Sequence, residues 1–163
     1  MLKDTLKEDM KNALKAGDSA RRTLIGMVLT SMRNKEIEKR TVLAKTITDA
    51  AQLDAQSQLN DEEAMAVIAT EVKRRKDSIA EFEKGGRPEL AASEQSEIDI
   101  LKTYLPEQMS DEALRALVQK TIAATGASSA KDIGKVMSAV MAEVKGTAEG
   151  QRVSAMAKEE LSK

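Results

Sequence analysis

Apolar side chains recur along this chain at intervals of three and four, and no stretch alternates with a period of two. The pattern therefore predicts helices and no strands. Leu2, Leu6, Met10, Ala13 and Leu14 mark a first helix, and Gly17 stands where a left-handed terminus is wanted. Asp18 or Ser19 caps a second helix. Its stripe of Leu24, Ile25, Val28, Leu29, Met32 and Ile37 carries it to about Arg40, roughly 30 Å at a rise of about 1.5 Å per residue. Residues 41–59 are more polar. Leu43, Ile47, Ala50 and Ala51 hint at a turn or two of helix, and the rest suits a loose connection.

The best-marked helix starts at Asn60, with Glu63 in the capping-box position. Met65, Ile68, Val72, Ile79 and Phe82 form its stripe, with Arg75 in a slot that would otherwise be apolar. Gly85-Gly86 ends it. Pro88 opens the next helix at the tolerated first position, and Leu90, Ala91, Ile98, Leu101 and Leu105 form that helix's face. Two helices joined by Gly-Gly-Arg-Pro predict an antiparallel hairpin.

At Tyr104-Leu105-Pro106-Glu107-Gln108 the chain turns a corner, because Pro106 has no N–H and disfavours helix at the residue before it. Ser110 then caps a helix bearing Leu114, Leu117, Val118, Thr121 and Ile122, which stops at Gly126. Ser129, with Asp132 three residues on, caps another bearing Ile133, Val136, Met137, Val140, Met141 and Val144. Gly146 ends that one, and Thr147 caps a last helix with Val153, Met156, Ala157 and Leu161. The expected fold is all-α. An N-terminal long-helix region, 1–105, contains the hairpin, and a small three-helix domain, 106–163, follows.

Charge does not alter this picture, but it limits the function. The 26 basic and 27 acidic side chains nearly cancel, and they do so on both sides of the corner. The chain thus lacks the broad positive face of an obvious nucleic-acid binder. The absence of Cys and His removes thiol nucleophiles, disulfides, His-based dyads and the commonest zinc sites. Tyr104 and Phe82 are the only aromatics, so stacking platforms for single-stranded bases are ruled out. No apolar run reaches membrane-spanning length and the first 30 residues are amphipathic and charged, which makes a soluble cytoplasmic protein the expectation. No cofactor or metal is expected.

Each candidate motif has a plainer reading. Ser128-Ser129-Ala130-Lys131 has the S-x-x-K spacing of some acyl-transfer enzymes, but its companion motifs are missing and a helix start explains it. Gly134-Lys135 lacks the upstream Gly and following Ser or Thr of a phosphate loop. Lys73-Arg74-Arg75-Lys76 spreads around a helix, with Glu71, Asp77 and Glu81 spaced to pair with it. The carboxylates lie on charged helix faces and signal no buried pair for acid–base work. Met65, Met137, Met141 and Met156 fit core positions, the alternative being a soft groove for a partner helix. One constellation remains: Lys131 and Lys135, four apart on one face, with the loop Lys145-Gly146 and then Gly150 and Arg152. Outward backbone N–H groups beside such cations suit a phosphate, and capped helix ends account for the same residues.

Taken together, several segments resemble the YqeY family of small bacterial proteins. They are Glu71-Val72-Lys73-Arg74-Arg75-Lys76-Asp77-Ser78-Ile79, Gly86-Arg87, Tyr104-Leu105-Pro106-Glu107-Gln108, Thr125-Gly126-Ala127-Ser128-Ser129 and Gly134-Lys135-Val136-Met137. Residues 41–59 are longer than the family's usual connection, Ala130 stands where Pro is frequent, and Thr147 stands where a basic residue is frequent. The family's C-terminal domain is similar to the tail of the GatB subunit of the glutamine-dependent aspartyl/glutamyl-tRNA amidotransferase, a tail that helps grip tRNA and carries no catalytic residue. The resemblance implies a link to tRNA. The first expectation is thus a non-catalytic RNA-associated module, with Lys131, Lys135, Lys145, Gly146, Gly150 and Arg152 on the RNA and Lys73, Arg74 and Lys76 as a secondary basic surface. The second is a protein-interaction adaptor of the amidotransferase or an aminoacyl-tRNA synthetase. The third is an accessory to carbon–nitrogen ligation with glutamine as amido-nitrogen donor.

Overall fold

The computed structural model describes residues 1–162. Among them there are eight α-helices and no strand: α1 Leu2–Ala16, α2 Ser19–Leu43, α3 Ala50–Ser57, α4 Asp61–Lys84, α5 Pro88–Lys102, α6 Asp111–Thr125, α7 Ile133–Val144 and α8 Gly150–Leu161. The all-α expectation holds. The helices gather into two compact units, Met1–Tyr104 and Leu105–Lys163.

The first unit holds α1 to α5. The buried side chains Leu6, Leu24, Ile25, Val28, Met32, Ile68, Val72, Ile98 and Leu101 come from four of its helices, and Leu53 adds the fifth. Leu14 and Leu90, placed on apolar faces by spacing alone, are exposed. Helix α4 starts with the full capping box: Glu63 N donates to Asn60 Oδ1 at 2.8 Å, and Asn60 N donates to Glu63 Oε2 at 2.9 Å. Helix α2 runs past Arg40 to Leu43, and the connection that polarity suggested is shorter than 41–59. Within it Asp49 accepts from Gln52 N at 2.7 Å and starts α3, which buries Leu53 and Ser57. A polar segment became a helix because one cap and one apolar anchor sufficed.

Charge also reaches this interior, against the expectation that every carboxylate lies on a solvated face. Arg75, Glu71 and Glu36 are buried. Arg75 Nε donates to Glu97 Oε2 on α5 at 2.8 Å, and its Nη1 donates to Glu71 Oε2 at 2.9 Å. Glu71 Oε1 accepts from Ser31 Oγ on α2 at 3.0 Å. The polar residue in the apolar slot of α4 thereby links α4 to α5, while its partner Glu71 reaches α2. Burial works against the Arg75 charge, and the bonds from Glu97 and Glu71 outweigh it, so its pKa lies above the ordinary value.

In the second unit α6, α7 and α8 pack around Leu114, Val118, Val136, Val140, Val144, Val153, Met156 and Ala157. Thr121 is the buried polar side chain here, and its hydroxyl donates to Leu117 O at 2.9 Å. Met156 is in the core as expected and Met137 packs at its edge, but Met141 is 40% exposed.

Candidate nucleic-acid interface

The predicted cations lie at the ends of α7. Ahead of that helix, Ser128 N and Ser129 N each donate to Asp132 Oδ2 at 3.1 Å, and the Ser129 hydroxyl bonds the same oxygen at 3.2 Å. These donors, the Ser128 N–H first, hold the Asp132 carboxyl below its usual range. The Ser-x-x-Lys spacing therefore builds a helix start. A single 3₁₀ turn, Ala130–Asp132, intervenes before α7 proper and carries Lys131, which is exposed. Lys135, one turn further, donates from Nζ to Thr125 O at 2.7 Å and so neutralises the C-terminal end of α6.

At the other end of α7, Lys145 takes the left-handed conformation at φ 39°, and Gly146 follows at φ 88°. Both are exposed. The expected cap, Thr147, points the other way: its hydroxyl donates to Val144 O at 2.5 Å. Helix α8 starts three residues later at Gly150, behind Glu149, whose side chain makes no capping bond to it. The loop is held by the corner segment. Met109 N donates to Thr147 O at 2.7 Å and Gln108 Nε2 donates to Gly146 O at 3.0 Å. Arg152 Nη2 donates to Met109 O at 3.0 Å and to Asp111 Oδ1 at 2.5 Å.

The six residues of the expected constellation therefore form two groups. Helix α7 has 12 residues, about 18 Å at its usual rise, and it separates Lys131 and Lys135 from Lys145, Gly146, Gly150 and Arg152. Arg152 and Lys135 are already engaged by carbonyls and Asp111, whereas Lys131 and Lys145 are exposed and take no part in those bonds. Spacing put Lys131 and Lys135 on one helical face, whereas Lys131 lies on the 3₁₀ turn and Lys135 on α7; nor could spacing reveal the corner segment, which meets the loop only in three dimensions. Asp111, Gln108 and Arg115 were missed for that reason. Arg115 clamps α8, donating to Glu159 Oε1 at 2.8 Å and also bonding Glu160. Its pKa rises through those bonds, the Glu159 one first.

In the first unit, Lys73, Arg74 and Lys76 of the secondary surface are each exposed and are spread around α4. Arg74 pairs with Glu71 at 3.1 Å. Arg75, in the middle of the run, points into the core. A groove of about 760 Å³ runs beside this region between α2 and α4, lined by Asn34, Val42, Leu43, Ala66 and Val67 with Lys35, Glu38, Lys39 and Glu63 at its rim. Among the described residues no three His, Cys, Asp or Glu side chains come together as a metal-holding group. No helix among them is long and apolar enough to cross a membrane.

The model of the YqeY-like protein family matches residues 3–161. The chain belongs to that family. Curated relatives matched by this YqeY-like chain share the name "Altered inheritance of mitochondria protein 41, mitochondrial". The protein of Lachancea thermotolerans is 38% identical over 100 residues, 61% of this chain and 46% of the relative. That of Kluyveromyces lactis is 36% identical over 99 residues, 61% of this chain and 45% of the relative. That of Saccharomyces cerevisiae strain YJM789 is 35% identical over 100 residues. The match thus spans about half the length of these relatives. Their mitochondrial names overturn the expectation of a cytoplasmic protein. That expectation rested on composition and missing apolar runs, which carry no cellular address.

Proposed function

We propose that this YqeY-like chain works without catalysis of its own, as a helical module that meets RNA, tRNA in the first instance, through backbone phosphates. The observation that carries the reading is the exposed Lys145-Gly146 turn, two successive left-handed residues, leading to an α8 start without a side-chain cap. The Thr147 N–H already donates to Val144 O at 2.7 Å, so the turn would offer a phosphate oxygen its Gly146 N–H beside the Lys145 ammonium. Lys131 supplies a second contact about 18 Å away along α7, a reach that needs an extended backbone rather than a single phosphate. Lys73, Arg74 and Lys76 are the secondary surface. Fluorescence-monitored tRNA binding at several salt concentrations tests this. Binding is expected to weaken as salt rises, and Lys131→Gln with Lys145→Gly should lower the logarithmic salt slope by about one to two. No binding at low salt, or an unchanged slope in the double variant, removes the reading.

A second reading has its own observation. The groove between α2 and α4, with Val42 and Val67 along it, favours a protein-interaction adaptor. On that reading the docking surface is in the first unit, not in the Met-bearing short-helix unit where sequence placed it. The amidotransferase or an aminoacyl-tRNA synthetase is the partner to test, and an accessory part in glutamine-dependent amidation would follow from docking on the former. Co-purification that survives nuclease treatment and is lost in Val42→Glu supports the adaptor. Co-purification lost to nuclease supports the RNA module instead.

A further inference from the structure

Helix α2 buries Leu24, Ile25, Val28, Met32 and Glu36 on one side. The opposite side carries a stripe at alternating spacings of four and three: Thr23, Met27, Thr30, Asn34, Ile37 and Thr41. All six are exposed and none is charged, in a chain of which 33% is charged. The middle of a helix's solvent face is ordinarily where charge collects. Here the charges flank the stripe instead, with Arg22, Arg33 and Arg40 along one edge and Glu38 along the other. Its two apolar members, Met27 and Ile37, are 52% and 49% exposed.

Four-three spacing is the seam of a two-stranded coiled coil, with Met27, Asn34 and Thr41 at a positions and Thr23, Thr30 and Ile37 at d. The polar members suit burial in such a seam. Thr30 Oγ1 donates to Gly26 O and Thr41 Oγ1 to Ile37 O, each at 2.9 Å, so covering these residues strands neither hydroxyl. Asn34 lies mid-stripe, and an Asn at one a position fixes register in a parallel pair at some cost in stability.

The flanking charges select the partner and the direction. In a parallel pair a g position meets the partner's e position five residues further on. Arg33 is a g position, and five residues on is Glu38, an e position; their side chains are 69% and 67% exposed. A second copy therefore completes the pair twice, once from each side. Within the chain Arg33 approaches Glu36 only to 3.9 Å, and Glu38 keeps Lys35 at 2.8 Å on its other side. Lys45, which the same rule sets against Arg40, lies beyond the end of α2, and Arg40 is held by Asp54. An antiparallel pair would instead bring the two arginine edges together. The stripe adjoins the groove between α2 and α4 at Asn34 and Glu38.

We propose that the outer face of α2 is an interface for a second copy of this chain, a parallel two-fold pairing with Asn34 on the axis.

Sedimentation velocity of the full chain over a range of concentrations tests it, and a reversible monomer–dimer equilibrium is expected. Ile37→Glu should weaken the dimer about tenfold or more with the circular dichroism unchanged, and Asn34→Ile should tighten it about tenfold. Because the chain has no Cys, single cysteines report the direction. With oxidised glutathione, Met27→Cys, Asn34→Cys and Thr41→Cys should each give a disulfide-linked dimer about tenfold faster than Ala80→Cys at an exposed position of α4. A parent that is monomeric at every concentration, association untouched by Ile37→Glu, or cross-linking no faster than that of Ala80→Cys would each overturn the proposal. Cross-linking at Asn34 alone would overturn the parallel arrangement, since an antiparallel pair sets only one level of the stripe against itself.

Discussion

The two units solve the same packing problem with different interiors. In Met1–Tyr104 the helices close over Arg75, Glu71 and Glu36, so that the core contains ion pairs as well as Leu, Ile and Val. In Leu105–Lys163 the core is aliphatic, with Thr121 bonded within its own helix, and the ion pairs lie at its edge: Arg152 to Asp111, and Arg115 to the exposed Glu159 and to Glu160, whose side chain is largely covered. The contrast is physically instructive. Apolar packing is tolerant of register, since one aliphatic contact replaces another at little cost. A buried Arg with two carboxylate partners fixes which turn of α4 faces which turn of α5. Such pairs often add little net stability over apolar residues, but removing one member strands the other.

That asymmetry sets the largest expected effect. Arg75→Ala leaves Glu71 buried with Ser31 and only the exposed Arg74 guanidinium as partners, its Oε2 losing its donor, and should destabilise the first unit by about 3 kcal/mol. Arg75→Met combined with Glu71→Leu removes both charges and should recover most of that loss. Urea unfolding followed by tryptophan-free probes such as circular dichroism measures both. If the single and double variants are equally destabilised, shape rather than charge holds the α4–α5 register.

The counterpart in the aliphatic unit is Leu114→Ala. Leu114 is fully buried, so transfer and cavity costs together predict about 2–5 kcal/mol. Hydrogen exchange should locate the lost protection in α6, α7 and α8. No charge-restoring second mutation should rescue it, whereas a volume-restoring Leu114→Met should, to within about 1.5 kcal/mol. This difference in what rescues each core is the sharpest test of the comparison.

Sequence legibility differed between the units for the same reason. Caps and terminators are local chemistry, and Asn60, Ser110, Gly17 and Gly126 act where their neighbours said they would. The aliphatic core of the second unit follows largely from spacing, which marks its buried helical positions and misses Ala148, buried in the loop before α8. The first unit is less transparent. A buried Arg75 looks like a solvated charge until Glu97 arrives from another helix, and Glu36 looks like one of many exposed carboxylates until Lys3 and Leu59 close over it. Asp49 and Leu53 were visible as letters but short of a period, so α3 was underestimated. In the candidate interface, counting put Lys131 and Lys135 on one helix, and the intervening 3₁₀ turn was not visible to it. The partners of Arg152 and Gly146 belong to a segment about 40 residues away, and that of Lys135 to the end of the preceding helix, so counting along one helix could not find them.

Alkaline pH offers a milder way to separate the units. Tyr104 is half-buried in the first, its hydroxyl donating to Asp9 Oδ2 at 2.6 Å and accepting from Arg21 at 3.1 Å. Burial first, then the bond to Asp9, raises its pKa above 10.0. A raised folded pKa means the folded state holds the proton more tightly. The associated stability is full below the unfolded value near 10 and is lost as pH rises through the folded value. The first unit should therefore lose stability above pH 10 more steeply in the parent chain than in Tyr104→Phe. Thermal melts across that range decide it, and identical slopes in parent and variant would remove the linkage. The second unit contains no tyrosine and should give no such difference between the two proteins.

The smallest stability effect carries the most functional information. Lys145 occupies the left-handed region at φ 39°, where a Cβ is disfavoured by about 1–2 kcal/mol and glycine is not. Against that, glycine costs the folded state up to about 1 kcal/mol through the entropy of the unfolded chain. The two terms oppose, so Lys145→Gly should leave the melting temperature of the second unit nearly unchanged. A helix terminus that needed only its turn geometry would accept the replacement without consequence. If the lysine is there to meet a phosphate, the variant should keep its fold and lose about one charge's worth of salt dependence in tRNA binding. A fold kept and a salt slope kept would assign Lys145 to the turn alone, and would leave Lys131 as the exposed cation on which the RNA reading depends.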